Sequence, residues 1–410
     1  MNNNYQIRKA EKLVKEYASF YKVIAVLGAR QVGKSSMLAN MYPDYKYFTF
    51  DPVQDLYGAR SDPDLFLKNF PPPLILDEIQ YVPELIPAIK RFADKLDNKG
   101  QYFITGSQNL PVLKNISESL AGRVGIIRLH PMTGDELNNI QSDKSWLSEL
   151  LNNGKIPGSI NRFSKTDTLS SFLWRGTMPG LIDAPDSLVS SYFDSYVQTY
   201  IERDIRIIED VKNLSDFGRF IRLCSSLTAQ EINSSQIGRE IGVTPQTARR
   251  WLDLLIHSFQ WIELDPYSGS TIKRISGKKK GYLSDTGLAA YLQRISSPDA
   301  LMGTRLFGAL FETYVVTSII KNASLMSTKP GMYHWRTSAG AEADVVLEYN
   351  GKLFPIEIKA KTNLNKHDAS GITAFFETYP SNTEIGIIIY AGSELYRIKE
   401  NIWAMPWDAV

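Results

Sequence analysis

A glycine-rich segment that follows an apolar run, residues 23–27, carries the clearest chemistry in this sequence. It reads Gly28, Ala29, Arg30, Gln31, Val32, Gly33, Lys34, Ser35 and Ser36. Glycines allow a loop to close around a phosphate chain, whose charge then meets backbone amides and the start of the next helix. We expect Lys34 to contact the outer phosphates of a nucleotide and Ser35 to coordinate Mg²⁺. A simple glycine turn between a strand and a helix is the alternative.

Two adjacent carboxylates follow another apolar run, residues 74–76. Asp77 could complete the Mg²⁺ shell, and Glu78 could be the general base that activates the attacking water. A third run, residues 102–105, leads to Ser107, whose hydroxyl could sense the γ-phosphate. For each residue alone, the alternative is an ordinary polar side chain at a strand end. Together, at this distance after the glycine-rich segment, Asp77 and Glu78 predict a Walker B motif.

These side chains need a scaffold, and the apolar runs indicate which one. Runs with the character of strands alternate with helical stretches through the first third of the chain, at residues 23–27, 47–50, 74–76, 102–105 and 125–129. Such alternation predicts an α/β fold in which a parallel sheet is flanked by helices. After residue 131 the pattern becomes mainly helical.

Arg123 ends a predicted helix directly before the strand that starts at Val124. At this point the sequence resembles the AAA-type (AAA+) P-loop ATPases, in which an arginine at this position reaches the nucleotide of a neighbouring subunit. The resemblance implies ATP and Mg²⁺ as cofactors, Arg123 as a catalytic residue acting in trans, and a homo-oligomer, specifically a hexameric ring. A cation that balances the dipole at a helix C-terminus is the alternative for Arg123.

Residues 231–252 have the pattern of a helix-turn-helix. A short helix that buries Ile237 and Ile241 stops at Gly242, and Thr244 with Pro245 begins the next helix. Its outward side chains, expected to face a DNA groove, are Gln246, Thr247, Arg249 and Arg250.

A basic stretch follows this pattern. Predicted strands at residues 261–264 and 271–275 bracket a turn and form a candidate wing. The stretch 271–280 contains no acid and five cations, Lys273, Arg274, Lys278, Lys279 and Lys280. The net charge of the whole chain, only +2, conceals this patch. It suits phosphate contacts, so we predict duplex or branched DNA as the partner. A winged helix that contacts only protein is the alternative.

Four charged residues near the C-terminus could form a further site. Glu312 lies on a predicted helix and Asp344 at the start of a predicted strand, while Glu357 and Lys359 share one face of the next strand. Carboxylates beside a lysine can hold Mg²⁺ and position a water for phosphodiester hydrolysis. Their order resembles the PD-(D/E)XK nuclease fold. The resemblance leaves open whether the domain cleaves DNA or only binds it or assists assembly.

Length and composition set the outer limits. A chain of 410 residues should form about two to four domains. We expect an AAA+ P-loop ATPase domain at 1–131, a helical lid or connector at 132–190, a helical and winged-helix domain at 191–298, and an α/β restriction-endonuclease-like domain at 299–410. The single cysteine, Cys224, excludes an internal disulfide. No apolar run approaches the roughly 20 residues of a membrane span, so we expect a cytoplasmic protein without a membrane partner.

The whole arrangement resembles prokaryotic AAA-type ATPases with a C-terminal domain of uncharacterised function, including the central segment 196–205. We therefore predict an ATP-hydrolysing, oligomeric, DNA-binding motor that remodels duplex or branched DNA, with Holliday-junction branch migration as one specific form. Two alternatives stay open. One is an ATP-gated, Mg²⁺-dependent nuclease in genome defence, and the other is an NTPase signalling switch that acts on protein partners.

Overall fold

The computed structural model of this chain describes residues 5–107, 119–140, 145–157, 160, 162–163, 168–201 and 214–410. The chain divides into two compact units. The first comprises residues 1–132 with the short segments 178–180 and 255–259. The second comprises residues 133–177, 181–254 and 260–410.

A five-stranded parallel sheet forms the centre of the first unit. Its strands are β1 (Val23–Leu27), β2 (Lys46–Thr49), β3 (Leu74–Asp77), β4 (Tyr102–Gly106) and β5 (Val124–Arg128). They lie in the order β2-β3-β4-β1-β5. Every residue of β1, β3 and β4 is buried, which explains why these strands read as continuous apolar runs. The predicted parallel α/β sheet is confirmed.

One helix of the first unit precedes β1, and three others connect successive strands. They are Ala10–Phe20, Lys34–Met41, Pro63–Asn69 and Leu85–Asp94. The helix Leu85–Asp94 buries Leu85, Ile86 and Ile89 in the same core as alternate residues of the sheet. Because all five strands run in one direction, their carboxyl ends meet at a single edge. The ends of β1, β3 and β4 therefore bring residues 28, 77 and 107 to one side of the unit.

Most of the helices lie beyond residue 132. They are Gly134–Leu137, Trp146–Asn153, Leu169–Arg175, Asp186–Tyr196, Leu214–Ser226, Ser234–Ile241, Pro245–His257, Thr271–Ser276, Thr286–Leu292, Pro298–Met302, Leu306–Ser324 and Ser370–Thr378. Of the predicted central segment 196–205, residues 202–205 lie outside the described residues. Among the helices described, none is both long enough and apolar enough to cross a membrane.

A mixed sheet of nine described strands runs through the second unit. The strands are β6 (Gln230–Glu231), β7 (Trp261–Pro266), β8 (Lys280–Leu283), β9 (Gly331–Arg336), β10 (Glu342–Tyr349), β11 (Lys352–Lys359), β12 (Gly386–Tyr390), β13 (Tyr396–Lys399) and β14 (Ile402–Pro406). Their order is β13-β14-β12-β11-β10-β9-β7-β8-β6. The parallel pair β7 and β9 joins strands from both sides of residue 299. The domain boundary predicted at 298/299 therefore crosses a continuous sheet and stays a prediction.

One predicted strand is wrong. Residues 271–275 belong to a helix, Thr271–Ser276, and β7 pairs instead with β8, where Leu264 lies opposite Lys280. Ile272 and Ile275, which suggested a strand, are 78% and 74% exposed. They are three positions apart, which is a helical spacing, and neither covers a buried face. Arg274 folds back across the connection and donates to the carbonyl oxygen of Ser268 at its start.

The two helices predicted at residues 231–252 are present. The first, Ser234–Ile241, ends at Gly242, whose φ of 80° is the left-handed conformation that glycine adopts most easily. The hydroxyl of Thr244 accepts a hydrogen bond from the amide of Thr247 at 3.1 Å and so caps the second helix, Pro245–His257. Ile237 and Ile241 are buried as expected.

Candidate functional site

The glycine-rich loop joins β1 to the helix Lys34–Met41, as its sequence predicts. At Gly28 a Cβ atom would lie 2.1 Å from the carbonyl oxygen of Leu129, so no larger residue fits without movement of the backbone. Gly33 has a φ of 92°. The Lys34 ammonium is buried and donates to the carbonyl oxygens of Gly28, at 3.0 Å, and Ala29, at 2.8 Å. The loop therefore holds the predicted phosphate-binding cation over its own backbone.

Asp77 lies beside this loop and binds three hydroxyl groups. The Ser35 hydroxyl contacts both carboxylate oxygens of Asp77, at 2.8 and 3.0 Å. Tyr47 donates to Oδ2 at 2.7 Å, and Thr105 donates to Oδ1. Serine and aspartate oxygens are the hard ligands that Mg²⁺ prefers, so the pair Ser35 and Asp77 fits the predicted metal site.

Glu78 sits at the end of β3 in a left-handed conformation, with φ 57° and ψ 47°. Its Oε2 accepts hydrogen bonds from Gln80 and from Ser107, the latter at 3.2 Å. The Arg30 guanidinium lies 3.9 Å from Oε1 and also donates to the Tyr81 hydroxyl at 2.7 Å. The structure thus brings the predicted general base and the predicted γ-phosphate sensor into direct contact.

The other predicted loop residues complete the backbone of the site. Gln31 has a φ of 60°, Val32 is fully buried, and Ser36 is exposed on the first turn of the helix. The loop thus exposes Gln31 and Ser36, whereas Arg30 and Ser35 face the acids of the site.

Sequence reasoning missed several residues that shape this site. Thr105 is buried, accepts a hydrogen bond from the Glu78 amide at 3.1 Å and donates to Asp77, so one hydroxyl links both acids. Its place at the end of the strand beside β3 was the available signal. Arg8 and Tyr47 gave no local signal. The Arg8 guanidinium is buried and donates to the carbonyl oxygens of Val32, at 2.6 Å, and His130, at 2.8 Å. These two hydrogen bonds connect the loop to the segment that follows β5.

Arg123 immediately precedes β5, the position predicted for an arginine that acts in trans. Its guanidinium forms an ion pair with Asp94 and donates to the carbonyl oxygen of Ala121 at 3.1 Å. About a third of the side chain, 36%, is exposed. Within the described residues its ionic partner is the surface carboxylate of Asp94, and its role in trans stays a prediction.

The four predicted C-terminal residues lie together, and Lys280, which we predicted on the DNA-binding surface, contacts two of them. The Lys280 ammonium is 2.6 Å from Glu312 Oε1 and 3.0 Å from Asp344 Oδ1. The second oxygen of Asp344 accepts the Ile358 amide at 2.8 Å. Lys359 donates to Glu357 Oε1 at 2.5 Å. We call Lys280, Glu312, Asp344, Glu357 and Lys359 the carboxylate cluster.

Burial dominates the electrostatics of the carboxylate cluster. It raises the pKa of Glu312 to about 8, and the negative charge of Asp344 adds to the rise. Burial and then Asp344 likewise raise the pKa of Glu357 to about 8. Burial alone would lower the pKa of Lys280, but the charges of Asp344 and Glu312 outweigh it and raise that pKa. A cavity of about 370 Å³ opens beside Lys280, Glu312 and Asp344.

Two cations predicted on a DNA-binding surface are placed elsewhere. Lys280 is only 12% exposed because two carboxylates draw its side chain into the carboxylate cluster, so that prediction is wrong. Arg274 lies over the rings of Tyr267, at 4.2 Å, and Tyr333, at 5.0 Å. It also pairs with Glu348 at 2.7 Å, which leaves it 19% exposed. The carboxylates that pair with these two cations, Glu348, Glu312 and Asp344, are distant in sequence from both.

The remaining predicted surface residues differ in how freely they face solvent. Lys273, Gln246 and Arg250 are exposed, and Thr247 is half-buried. Lys278 is 67% exposed, with Glu231 at 3.8 Å. Arg249 pairs with Asp253 and Glu263, and Lys279 pairs with Glu263 and Asp265. The basic surface is therefore smaller than the sequence suggests.

Three family models match parts of the chain. One described as AAA domain matches residues 20–138. Two described as domains of unknown function match residues 166–299 (DUF8612) and 307–410 (DUF4143). The first match and the geometry of the loop agree, so the N-terminal third is an AAA-type P-loop domain. The predicted winged helix and nuclease-like domain stay predictions.

Similar proteins add little about activity. Proteins named as uncharacterized from Mycobacterium bovis and Mycobacterium tuberculosis are each 26% identical over 389 residues, which cover 95% of this chain and 80% of the relative. A Walker-type ATPase of Pyrococcus abyssi shares 15% identity at a TM-score of 0.47, covering 71% of this chain and 97% of that one. The RuvB Holliday junction branch migration motor of Thermotoga maritima shares 15% identity at a TM-score of 0.29, covering 62% and 88%. Such scores carry no function to this chain.

Proposed function

We propose that this chain binds ATP with Mg²⁺ at its glycine-rich loop, hydrolyses the ATP, and uses the reaction to remodel duplex or branched DNA. One observation supports hydrolysis above all. Lys34, Ser35, Asp77 and Glu78 lie within reach of one another at the carboxyl edge of a parallel sheet, joined by the hydrogen bonds of Ser35 and Thr105 to Asp77. A phosphate-binding cation, a pair of Mg²⁺ ligands and a general base are the parts that phosphoryl transfer to water requires.

Each side chain has a distinct part in this proposal. Lys34 would exchange its two carbonyl partners for phosphate oxygens, and Ser35 with Asp77 would hold Mg²⁺, which supplies positive charge to the phosphates. Glu78 would accept a proton from the attacking water. Ser107 and Gln80 would keep the Glu78 carboxylate in place. The residues act mainly by positioning and by charge.

ATP turnover by the full chain tests this proposal. Glu78→Gln should bind ATP and hydrolyse it poorly, because the amide cannot accept the proton, whereas Lys34→Ala should lose productive binding. Glu84→Gln, at an exposed acid of the same unit, is the matched control and should behave as the wild type. Normal turnover by Glu78→Gln would refute the general-base role.

DNA as the partner rests on the order of elements and on surface charge. The helix Leu214–Ser226, β6, the two helices that meet at Gly242, β7 and β8 follow one another in the order of a winged helix. The sheet order, with β8 between β6 and β7, fits the same fold. Exposed Gln246 and Arg250 lie on the second of the two helices, and exposed Lys273 and Lys278 lie in the connection after β7. We propose these side chains as the DNA contacts.

Binding to duplex and to a four-way junction at several salt concentrations tests this part. Replacing Lys273 and Lys278 by alanine should weaken DNA binding and make it less dependent on salt. Each phosphate contact that is lost reduces the number of counterions released when the protein binds DNA. Lys366→Ala, at an exposed lysine of the same unit, should change neither. ATP turnover that is normal and indifferent to every DNA would favour the signalling switch instead.

A nuclease gated by ATP is the second candidate, and the meeting of Asp344, Glu357 and Lys359 favours it. Plasmid incubated with Mg²⁺ should then be nicked by the wild type, and cutting should vanish in Asp344→Ala and Glu357→Ala. Equal cutting by the wild type and both variants would reveal a contaminant. We rank this candidate second because the Lys280 ammonium already binds Asp344.

A further inference from the structure

Lys280 has no role in ATP hydrolysis and does not belong to the exposed basic surface. Its backbone is held between two strands, opposite Glu231 of β6 and Leu264 of β7. Its side chain reaches into the carboxylate cluster, where the ammonium touches Glu312 and Asp344 at ion-pair distance. The lysine and Asp344 are 64 positions apart in sequence, so only the continuous sheet brings them together.

We infer that Lys280 is the resident cation of the carboxylate cluster. Its ammonium takes the position that a divalent ion would take, and divalent ions bind there only when Lys280 is withdrawn or removed. This inference goes beyond the proposed ATPase and depends on neither ATP nor DNA.

The oxygen atoms that a metal ion would need already have partners. Asp344 Oδ1 binds Lys280, and its Oδ2 accepts the Ile358 amide at 2.8 Å. Glu312 Oε1 binds Lys280 and accepts the Tyr282 hydroxyl at 2.8 Å. A divalent ion on these oxygens would lie within a few ångströms of the ammonium, and two like charges at that distance in a buried site repel strongly. The lysine and the metal ion therefore exclude each other.

The cluster nevertheless retains capacity for a metal ion. Glu357 is 3% exposed, and within the described part of the chain its Oε2 is buried without a hydrogen-bond partner. Glu357 lies on β11 directly before Ile358, whose amide donates to Asp344 Oδ2 at 2.8 Å, so the two acids lie on adjacent paired strands. The adjoining cavity of about 370 Å³, lined by Lys280 itself, gives its side chain room to turn away. Removal of the ammonium would leave three carboxylates with Lys359 as their remaining cation.

Mn²⁺ binding by the full chain without nucleotide tests the inference. Thermal unfolding followed by tryptophan fluorescence is a suitable readout, because all seven tryptophans lie beyond residue 132 and report on the second unit. Lys280→Met should be stabilised by Mn²⁺ and should bind it about tenfold or more tightly than the wild type does, because the positive charge that repels the ion has been removed. Lys329→Met, the same change at an exposed lysine of the same unit, is the matched control and should respond as the wild type.

A double variant assigns the response to this cluster. Lys280→Met combined with Asp344→Asn should lose the gain, whereas any Mn²⁺ bound at the P-loop would persist. Lys280→Gln, whose amide can still donate to Asp344, replaces Lys280→Met if the methionine variant does not fold. Wild-type protein that binds Mn²⁺ at this cluster as tightly as the folded variant would overturn the inference. So would a folded variant that shows no response.

Discussion

Thr105 is the residue whose loss should best separate positioning from chemistry in the nucleotide site. Its hydroxyl is buried, accepts a hydrogen bond from the Glu78 amide and donates one to Asp77. Thr105→Val keeps the shape and removes both hydrogen bonds. The Glu78 amide would lose its acceptor, while Asp77 would keep Ser35 and Tyr47. One buried donor without an acceptor and one lost hydrogen bond to a carboxylate should lower the free energy of local unfolding by about 2–4 kcal/mol.

Hydrogen exchange measured by mass spectrometry can localise that loss. Peptides covering β3 and β4 should exchange about 30- to 900-fold faster, because each 1.4 kcal/mol is a factor of ten. ATP turnover should fall together with the protection. Thr105→Ser retains the hydroxyl and should preserve both, and tryptophan fluorescence should show the second unit unchanged. Wild-type protection and turnover in Thr105→Val would refute the claim that this hydroxyl positions the two acids.

Three further predictions concern other parts of the chain. Arg123→Ala should stay folded, because it loses a surface ion pair with Asp94 and one hydrogen bond to the Ala121 carbonyl oxygen, yet it should lose ATP turnover. Mixing it with a P-loop variant should restore some activity, and unchanged turnover would exclude a role in trans. Gly287→Ala should lower the free energy of unfolding in urea by about 1–3 kcal/mol, because its Cβ would lie 2.4 Å from a backbone oxygen. Gly218→Ala, in a helix where the Cβ meets open space, should raise that free energy by up to about 1 kcal/mol. Equal effects of the two changes would contradict the packing argument. Cys224 is buried and burial raises the pKa of its thiol, so a thiol reagent should label it only in denaturant; rapid native labelling would show that the core opens.

The first unit was largely predictable because its signals are local. Strands buried on both faces are written as continuous apolar runs, and the glycine-rich loop is contiguous between a strand and a helix. Asp77 and Glu78 could be assigned because a parallel sheet gathers strand ends at one edge. The strand predicted at residues 271–275 was wrong, because Ile272 and Ile275 are three positions apart, which is a helical spacing, and both are exposed.

The C-terminal site was predictable only in part. Glu357 and Lys359 share a face because side chains on a strand alternate, and that needs no tertiary information. Their grouping with Glu312 and Asp344 followed from a resemblance. The position of Lys280 in the carboxylate cluster could not be predicted from its neighbours in the sequence, which are basic and indicated a surface patch.

The order of amino acids by itself therefore determined the elements and motifs that neighbouring residues specify. These are the glycine-rich loop, the acidic end of β3 and the two helices around Gly242. What folding in three dimensions decided is which distant polar and charged groups pair with one another. Arg8 came to brace the loop, Tyr47 to hold Asp77, and Lys280 to enter the carboxylate cluster. The reason is that a buried charge must find an opposite charge or a hydrogen-bond partner, and the partner's distance along the chain has no bearing on the energy.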